Sequence, residues 1–129
     1  MLELDRHIHE KFDAVFCLGN SLPHLQDVVA LNGTVAQFAG VLRQGGTVFL
    51  QILNYARILA SKNRIVNINY RDNKEFIRFY DFMENKIQFN ILVINKENDR
   101  VEHSLNSTLL VPYLRDDIVK ALRNKTFLI

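Results

Sequence analysis

The sequence has one cysteine, Cys17, and this scarcity excludes an internal disulfide framework. It has no apolar run near the ~18 residues that a membrane span needs. It also lacks a basic leader followed by a small-residue cleavage site. Charge of one sign is scarce as well, because the formal net charge is only +2 and the basic residues are spread among acids. We therefore expect a cytoplasmic protein with neither a membrane nor a nucleic-acid partner.

Metal-binding and nucleophilic patterns are also missing. The four histidines do not have the spacing of a zinc motif, so we expect no metal site. Cys17 lies inside an apolar run, where a thiol usually serves as a small hydrophobic side chain. With 48% hydrophobic and 23% charged residues, the composition is that of a folded globular chain, and we expect one domain.

The first half of the sequence predicts a βαβ unit. Residues 13–19 are almost continuously apolar, as in a parallel strand that is buried on both faces. A helix follows, with Asp27 or Asn32 as its N-cap and residues 44–46 at its end. Residues 47–53 form a second apolar strand. Because a helix separates the two strands, we expect them to pair in parallel with a right-handed crossover.

The second half changes to an alternating pattern. Between residues 64 and 113, apolar and polar positions alternate and are interrupted by polar breaks at 71–73, 84–85 and 96–99. This pattern predicts an antiparallel meander. Residues 114–122 have apolar positions at helical spacing, with acids near the start and bases near the end, which suits the helix dipole. Residues 126–129 predict the beginning of one more strand.

Polar side chains follow the first strand where it ends. Residues 13–25 read DAVFCLGNSLPHL, so the backbone turns sharply at Gly19 and leaves Asn20, Ser21 and His24 at the carboxyl end of the strand. Open α/β sheets bind ligands at that edge. The segment resembles the fourth-strand motif of class I S-adenosylmethionine-dependent methyltransferases, and it is most similar to the glycine N-methyltransferase-like group.

Three further segments resemble the same family in the same order. They are residues 42–49 (LRQGGTVF), 54–59 (NYARIL) and 67–71 (NINYR). The resemblance implies an α/β fold, namely the C-terminal half of a Rossmann-like methyltransferase sheet with an antiparallel β-meander insertion. It makes residues 1–129 a single, partial methyltransferase domain with residues 64–113 as the insertion.

One family feature is absent from these residues. The five glycines, at 19, 33, 40, 45 and 46, do not form the glycine-rich first turn that such enzymes use for the cofactor. The acidic residue expected about 20 residues beyond that turn is missing too. We therefore expect the cofactor S-adenosylmethionine to bind a complete domain and the isolated chain to be inactive.

The resemblance and the positions at strand ends together predict the residues of a methyltransferase site. Asn20 and Tyr70 are the predicted catalytic residues, while Leu18, Gly19 and His24 are predicted to contact the cofactor, and Asn54, Tyr55 and Arg78 the substrate. Simpler interpretations stay open for several of them. Asn20 can serve only the turn, Tyr70 can be an exposed strand tyrosine, and Arg78 can lie on a solvated sheet face.

Position 53 departs from the family. Glycine methyltransferases of this group carry an arginine directly before the residue equivalent to Asn54, where it holds the substrate carboxylate, and this chain has Leu53. A desolvated carboxylate needs a charged fork or equivalent donors. Glycine is therefore in doubt as the acceptor, and Arg78 is a candidate for the missing anion contact.

Two functions follow as hypotheses. The first is methyl transfer from S-adenosylmethionine to an unidentified small-molecule acceptor. The second is a non-catalytic α/β module for oligomerisation or interaction, derived from a methyltransferase. We also expect a homo-oligomer, because residues 13–19 would form an apolar edge strand without the lysine, proline or bulge that protects such edges.

Overall fold

The computed structural model describes residues 3–97, 100–125 and 127–129. The helices are α1 (Leu4–His7), α2 (Val28–Val41), α3 (Tyr55–Ser61) and α4 (Arg115–Arg123), with one 3₁₀ turn at Leu22–His24. The strands are β1 (Phe12–Cys17), β2 (Leu42–Leu50), β3 (Ile65–Arg71), β4 (Lys74–Phe82), β5 (Ile87–Glu97) and β6 (Arg100–Leu110). The chain forms two compact units, one up to Tyr55 together with Tyr113–Ile129, and one of Ala56–Pro112.

The first unit contains the predicted βαβ arrangement. Strands β1 and β2 pair in parallel, with Ala14 opposite Thr47 and Cys17 opposite Leu50. The register shifts before Ala14, where β2 makes an irregular turn with Gly45 at φ 80°. A Cβ on Gly46 would lie 2.9 Å from the Leu42 side chain and 3.0 Å from a backbone oxygen. Glycine at 46 thus lets β2 bend closely back onto itself.

Helix α2 connects the two strands and has the predicted cap. Asp27 accepts a hydrogen bond from the Ala30 N–H at 2.7 Å, whereas Asn32 lies inside the helix. Its core-facing residues, Leu31, Val35 and Phe38, are buried at helical spacing. The helix ends at Val41, before the predicted stop at 44–46, because the next residue is already extended.

The prediction that the first strand is buried on both faces is wrong for this chain. Cys17 is 6% exposed, but Phe16 on the opposite face is 64% exposed and Phe12 is 41% exposed. Phe16 stacks on Phe49 of β2 with 4.8 Å between the ring centroids. A continuous apolar run is typical of a strand with two covered faces, yet the described residues of this unit leave one face open to solvent.

The second unit is the predicted antiparallel meander. Its four strands pair in the order β3-β4-β5-β6. Asp72 and Asn73 join β3 to β4 with φ of 49° and 59°, the left-handed pair that suits the twist of a two-residue hairpin. A hydrogen bond from the Met83 N–H to the Lys86 carbonyl closes the next hairpin at 2.9 Å. Asn98 and Asp99, in the predicted third turn, lie outside the described residues.

The C-terminal helix is present, but the strand predicted after it is not. Helix α4 has Asp117 in its first turn, and this carboxylate accepts from the Leu114 N–H at 2.8 Å. Residues 127–129 form no strand, since the Phe127 N–H bonds back to Leu122 at 3.4 Å and no described strand pairs with them. Thr126 lies outside the described residues. In the described part of the chain, no helix has the length and apolar character to cross a membrane.

The N-cap of α2 gives a stability test. We expect Asp27→Ala to lower the free energy of unfolding by about 1 kcal/mol, because the Ala30 N–H loses its acceptor. Asn32→Ala is the matched control, and it should leave stability unchanged or slightly higher because alanine favours a helix interior. Urea unfolding followed by circular dichroism measures both. Equal losses in the two variants would contradict the assignment of Asp27 as the cap.

Candidate functional site

The candidate site begins at the turn after β1. Gly19 and Asn20 adopt consecutive left-handed conformations, with φ of 69° and 61°. Glycine adopts this conformation without strain, and asparagine tolerates it better than most residues. The 3₁₀ turn at Leu22–His24, with Pro23 as its second residue, then leads the chain towards α2. The sequence Gly-Asn thus reverses the chain at the carboxyl end of the strand, as predicted.

Gln51 ties the ends of the two parallel strands together. Its N–H donates to the Cys17 carbonyl at 2.9 Å, and its own carbonyl accepts from the Asn20 N–H at 3.3 Å. Its side-chain oxygen accepts from the Gly19 N–H at 3.0 Å. Sequence reasoning missed this residue, although a glutamine interrupting an apolar strand was a visible signal.

The Asn20 side chain bridges to the segment after β2. Its amide oxygen accepts from the Leu53 N–H at 3.0 Å, and its amide nitrogen donates to the Tyr55 hydroxyl at 2.7 Å. Tyr55 is 1% exposed, so this end of the bridge is buried. The predicted catalytic residue Asn20 and the predicted substrate residue Tyr55 are therefore in direct contact.

This bridge leaves Asn20 with hydrogen-bonding capacity. A primary amide has two N–H donors and two oxygen lone pairs, and the bonds to Leu53 and Tyr55 engage one of each. Asn20 is only half-buried, so the others remain accessible. A fixed, uncharged amide at a strand end can orient an amine or a carboxylate without itself titrating.

Three other predicted residues lie at the same edge of the first unit. Leu18 is 51% exposed, and its carbonyl accepts from the Ser21 hydroxyl at 2.6 Å. His24 and Asn54 are both exposed. The edge therefore combines an apolar side chain, a backbone turn and several polar groups.

Tyr113 stabilises the segment that follows this edge, a role that the sequence did not predict. Its hydroxyl lies 2.9 Å from the Leu25 carbonyl and 2.8 Å from the Asp27 carbonyl. The side chain is 6% exposed, and burial raises the pKa of its phenol. It anchors the segment between the Asn20 turn and α2. Nothing in the local sequence signals this role, because its partners are backbone groups far away in the chain.

The remaining predicted residues, Tyr70 and Arg78, lie in the second unit. Tyr70 is 74% exposed and donates to the Glu75 carboxylate at 2.8 Å, a bond that raises the pKa of the phenol. Arg78 is half-buried on β4. Their predicted roles in catalysis and substrate binding stay predictions.

The described residues contain neither a cluster that could bind a metal ion nor an activated thiol. No group of three or more histidine, cysteine, aspartate or glutamate side chains in that part of the chain is placed to hold a metal ion. Cys17 is buried, and burial raises the pKa of its thiol, which keeps the weakly nucleophilic protonated form.

The chain has the fold of solved structures that include a methyltransferase. The chain matches an S-adenosylmethionine-dependent methyltransferase from Clostridium acetobutylicum with a TM-score of 0.75 and 18% identity, over 92% of this chain and 48% of the other. It matches Streptomyces venezuelae DesVI with a TM-score of 0.75 and 19% identity, over 92% and 52%. These likenesses establish the Rossmann-like α/β fold with its four-stranded antiparallel sheet, as predicted.

Sequence relatives point to one group of such enzymes. The chain is 46% identical over 57 residues to a glycine/sarcosine N-methyltransferase of Aphanothece halophytica, which is 44% of this chain and 22% of that protein. It is 41% identical over 56 residues to a glycine/sarcosine N-methyltransferase of Halorhodospira halochloris, 43% of this chain and 21% of the relative. No family model matches the chain. The predicted resemblance to the C-terminal part of this group is confirmed.

The buried hydroxyl at the site gives a second test. We expect Tyr55→Phe to lower the free energy of unfolding by about 1 kcal/mol, because the Asn20 amide loses its acceptor. The Asn20 side-chain amide resonances should shift in the nitrogen-15 NMR spectrum. Tyr70→Phe removes an exposed hydroxyl and should change stability by less than about 0.5 kcal/mol. Unchanged Asn20 resonances in Tyr55→Phe would contradict the bridge.

Proposed function

We propose that this chain is the C-terminal part of an S-adenosylmethionine-dependent methyltransferase that methylates a small molecule. The observation that carries the proposal is the Asn20 amide, fixed at the carboxyl edge of a parallel strand pair by Leu53 and Tyr55. The named relatives, glycine/sarcosine N-methyltransferases, support both the reaction and the size of the acceptor. We also propose a cytoplasmic location for the protein. Cell fractionation, with the protein detected in each fraction, tests this location.

The residues at this edge fit such a cofactor. A Cβ at Gly19 would meet no atom within 4 Å, so a ligand can approach the backbone of the turn. Leu18 adds exposed apolar surface beside it, and His24 adds a polar group. When bound, S-adenosylmethionine supplies a methyl group already activated on a positively charged sulfur. We assign the cofactor contacts to Leu18, Gly19 and His24.

The protein then has to align and shield the reactants. Methyl transfer is an in-line displacement, so holding the acceptor lone pair in position and excluding water account for much of the rate. Asn20 is the orienting group in this proposal, since its amide is fixed and uncharged. Asn54 and Tyr55 contribute to the acceptor side. Tyr70 and Arg78 lie in the second unit, and their catalytic and substrate-binding roles are separate proposals.

Kinetics on a complete domain test the reaction. We expect Asn20→Ala in a protein that contains this chain together with a glycine-rich cofactor turn to lower kcat/KM at least tenfold, about 1.4 kcal/mol of transition-state stabilisation. Asn32→Ala, which lies in the α2 helix, is the control and should leave kcat/KM unchanged. A wild-type value in Asn20→Ala would remove this residue from the mechanism.

The chain by itself should bind the cofactor poorly. Its residues include no glycine-rich turn, so roughly half of the usual contacts are missing, while the loss of translational freedom still costs several kcal/mol. Calorimetric titration with S-adenosylhomocysteine measures this, and we expect a dissociation constant weaker than the micromolar range. Low-micromolar binding, or methyl transfer by this chain alone, contradicts the expectation.

A second candidate function is a non-catalytic interaction module. The exposed Phe16–Phe49 stack and the edge of β1 that does not pair with β2 favour it. An unprotected apolar edge of this kind promotes pairing with another chain. A second copy of this chain is the simplest partner and would give a twofold dimer.

Sedimentation equilibrium tests this assembly. At ~100 μM we expect the chain to be mainly dimeric, because micromolar association corresponds to about 8 kcal/mol. Phe16→Lys should shift the equilibrium towards monomer. Leu105→Lys replaces a similarly exposed residue, 55% against 64%, in the second unit and should leave it unchanged. A wild-type monomer at this concentration contradicts the dimer.

A further inference from the structure

Gln51 lies where the turn at Gly19 and Asn20 interrupts the strand pairing. Its N–H donates to the Cys17 carbonyl at 2.9 Å, which continues the parallel pairing of β1 with β2. In a regular parallel ladder, the carbonyl of such a residue accepts from the N–H two residues further along the partner strand, here Gly19. Instead, the Gln51 carbonyl accepts from the Asn20 N–H at 3.3 Å. The turn has therefore moved this hydrogen bond one residue along the chain.

The displaced Gly19 N–H has its acceptor in the side chain of Gln51. The distance from the Gly19 nitrogen to Gln51 Oε1 is 3.0 Å. Gln51 thus accepts from both residues of the left-handed pair, from Gly19 with its side chain and from Asn20 with its backbone. Without a side-chain acceptor at this position, the Gly19 N–H would turn to solvent or to the backbone carbonyl of residue 51. The second outcome extends the strand by one residue and removes the turn.

The left-handed conformation of Asn20 needs this support. Gly19 at φ 69° has no Cβ, whereas Asn20 has one and lies at φ 61°. A residue other than glycine keeps this conformation only where the surrounding structure determines it. The side chain of Asn20 is bonded to Leu53 and Tyr55, and its backbone N–H is bonded to Gln51. All of these residues belong to the first unit, so one body of the chain holds the whole arrangement.

We propose that Gln51 is a positioning residue for methyl transfer, whose side-chain oxygen holds the Gly19 N–H and so keeps the Asn20 amide directed at the acceptor. This inference rests on the proposed function, in which Asn20 orients the acceptor. Gln51 acts through Asn20 and not by its own contact with the reacting atoms. The conformation of the turn is a property of the chain without cofactor. The two ideas can therefore fail separately.

The first test is NMR spectroscopy of the full chain. Gln51→Met keeps the length of the side chain and removes the acceptor. We expect the Gly19 amide hydrogen to exchange about tenfold faster in this variant, because its bond to Oε1 is lost. The three-bond coupling between the N–H and Cα–H of Asn20 should rise towards the value of an extended strand. Gln44→Met removes another exposed glutamine of β2 and should change neither quantity.

Two further variants separate the loss of this bond from a loss of folding. Gln51→Glu keeps a side-chain oxygen at the same distance from the backbone, and should retain the Gly19 exchange rate and the Asn20 coupling of the wild type. Gln51→Asn keeps the amide but is one methylene shorter, and should behave like Gln51→Met. Unchanged exchange and coupling in both Gln51→Met and Gln51→Asn would overturn the proposal.

The second test is kinetic and uses a protein that contains this chain together with a glycine-rich cofactor turn. Gln51→Met should lower kcat about tenfold and change the KM of the acceptor less than about twofold, because the misdirected amide fails in the transition state. Gln51→Glu should restore kcat. Since Gln51 acts through Asn20, adding Gln51→Met to Asn20→Ala should cost no further activity.

Two kinetic results would contradict the positioning role. One is a wild-type kcat in Gln51→Met, and the other is a pair of losses that add in the double variant. A complete protein that transfers no methyl group, in which Gln51→Met still changes the Gly19 exchange and the Asn20 coupling, would refute the proposed function and support the role of Gln51 at the turn.

Discussion

The side-chain amide of Asn20 joins the turn after β1 to the segment after β2, and the shape of the candidate site depends on this bridge. A pair of parallel strands has no hairpin of its own to fix its ends, so side chains have to do it. Asn20 meets Leu53 and Tyr55, while Gln51 adds bonds to the backbone of the turn. The left-handed backbone at Asn20 directs the amide towards this segment.

In the second unit, short hairpins and not side-chain bridges hold the strand ends together. Its four strands are consecutive in sequence, and short hairpins bring them into register. The Asp72–Asn73 turn has the twist of the strands that it joins. The polar side chains of this sheet therefore do not have to hold the strand ends together. Asn67 and Asn69, for example, accept hydrogen bonds from Arg78.

Local sequence was enough to predict the βαβ arrangement, the meander, α4 and the turn after β1, because strand periodicity, the Gly-Asn reversal and an aspartate cap act over a few residues. It missed α1 and wrongly predicted a strand after α4. It left Asp27 and Asn32 as alternatives, since both have a side chain that can cap a helix. It could not predict Tyr113, whose bonds close an 88-residue and an 86-residue separation. It also predicted a first strand buried on both faces, whereas Phe16 is exposed, because burial depends on what packs over a strand and not on the strand itself.

Because Cys17 is buried, the reactivity of its thiol reports local opening of the chain around β1. A thiol reagent can reach this single sulfur only when the β1–β2 pair opens, since the side chain is 6% exposed. Its labelling rate in native buffer therefore reads the local opening equilibrium of the strand that leads into Asn20. The same measurement, made with a ligand or partner present, tells whether occupancy of that edge holds the strands closed.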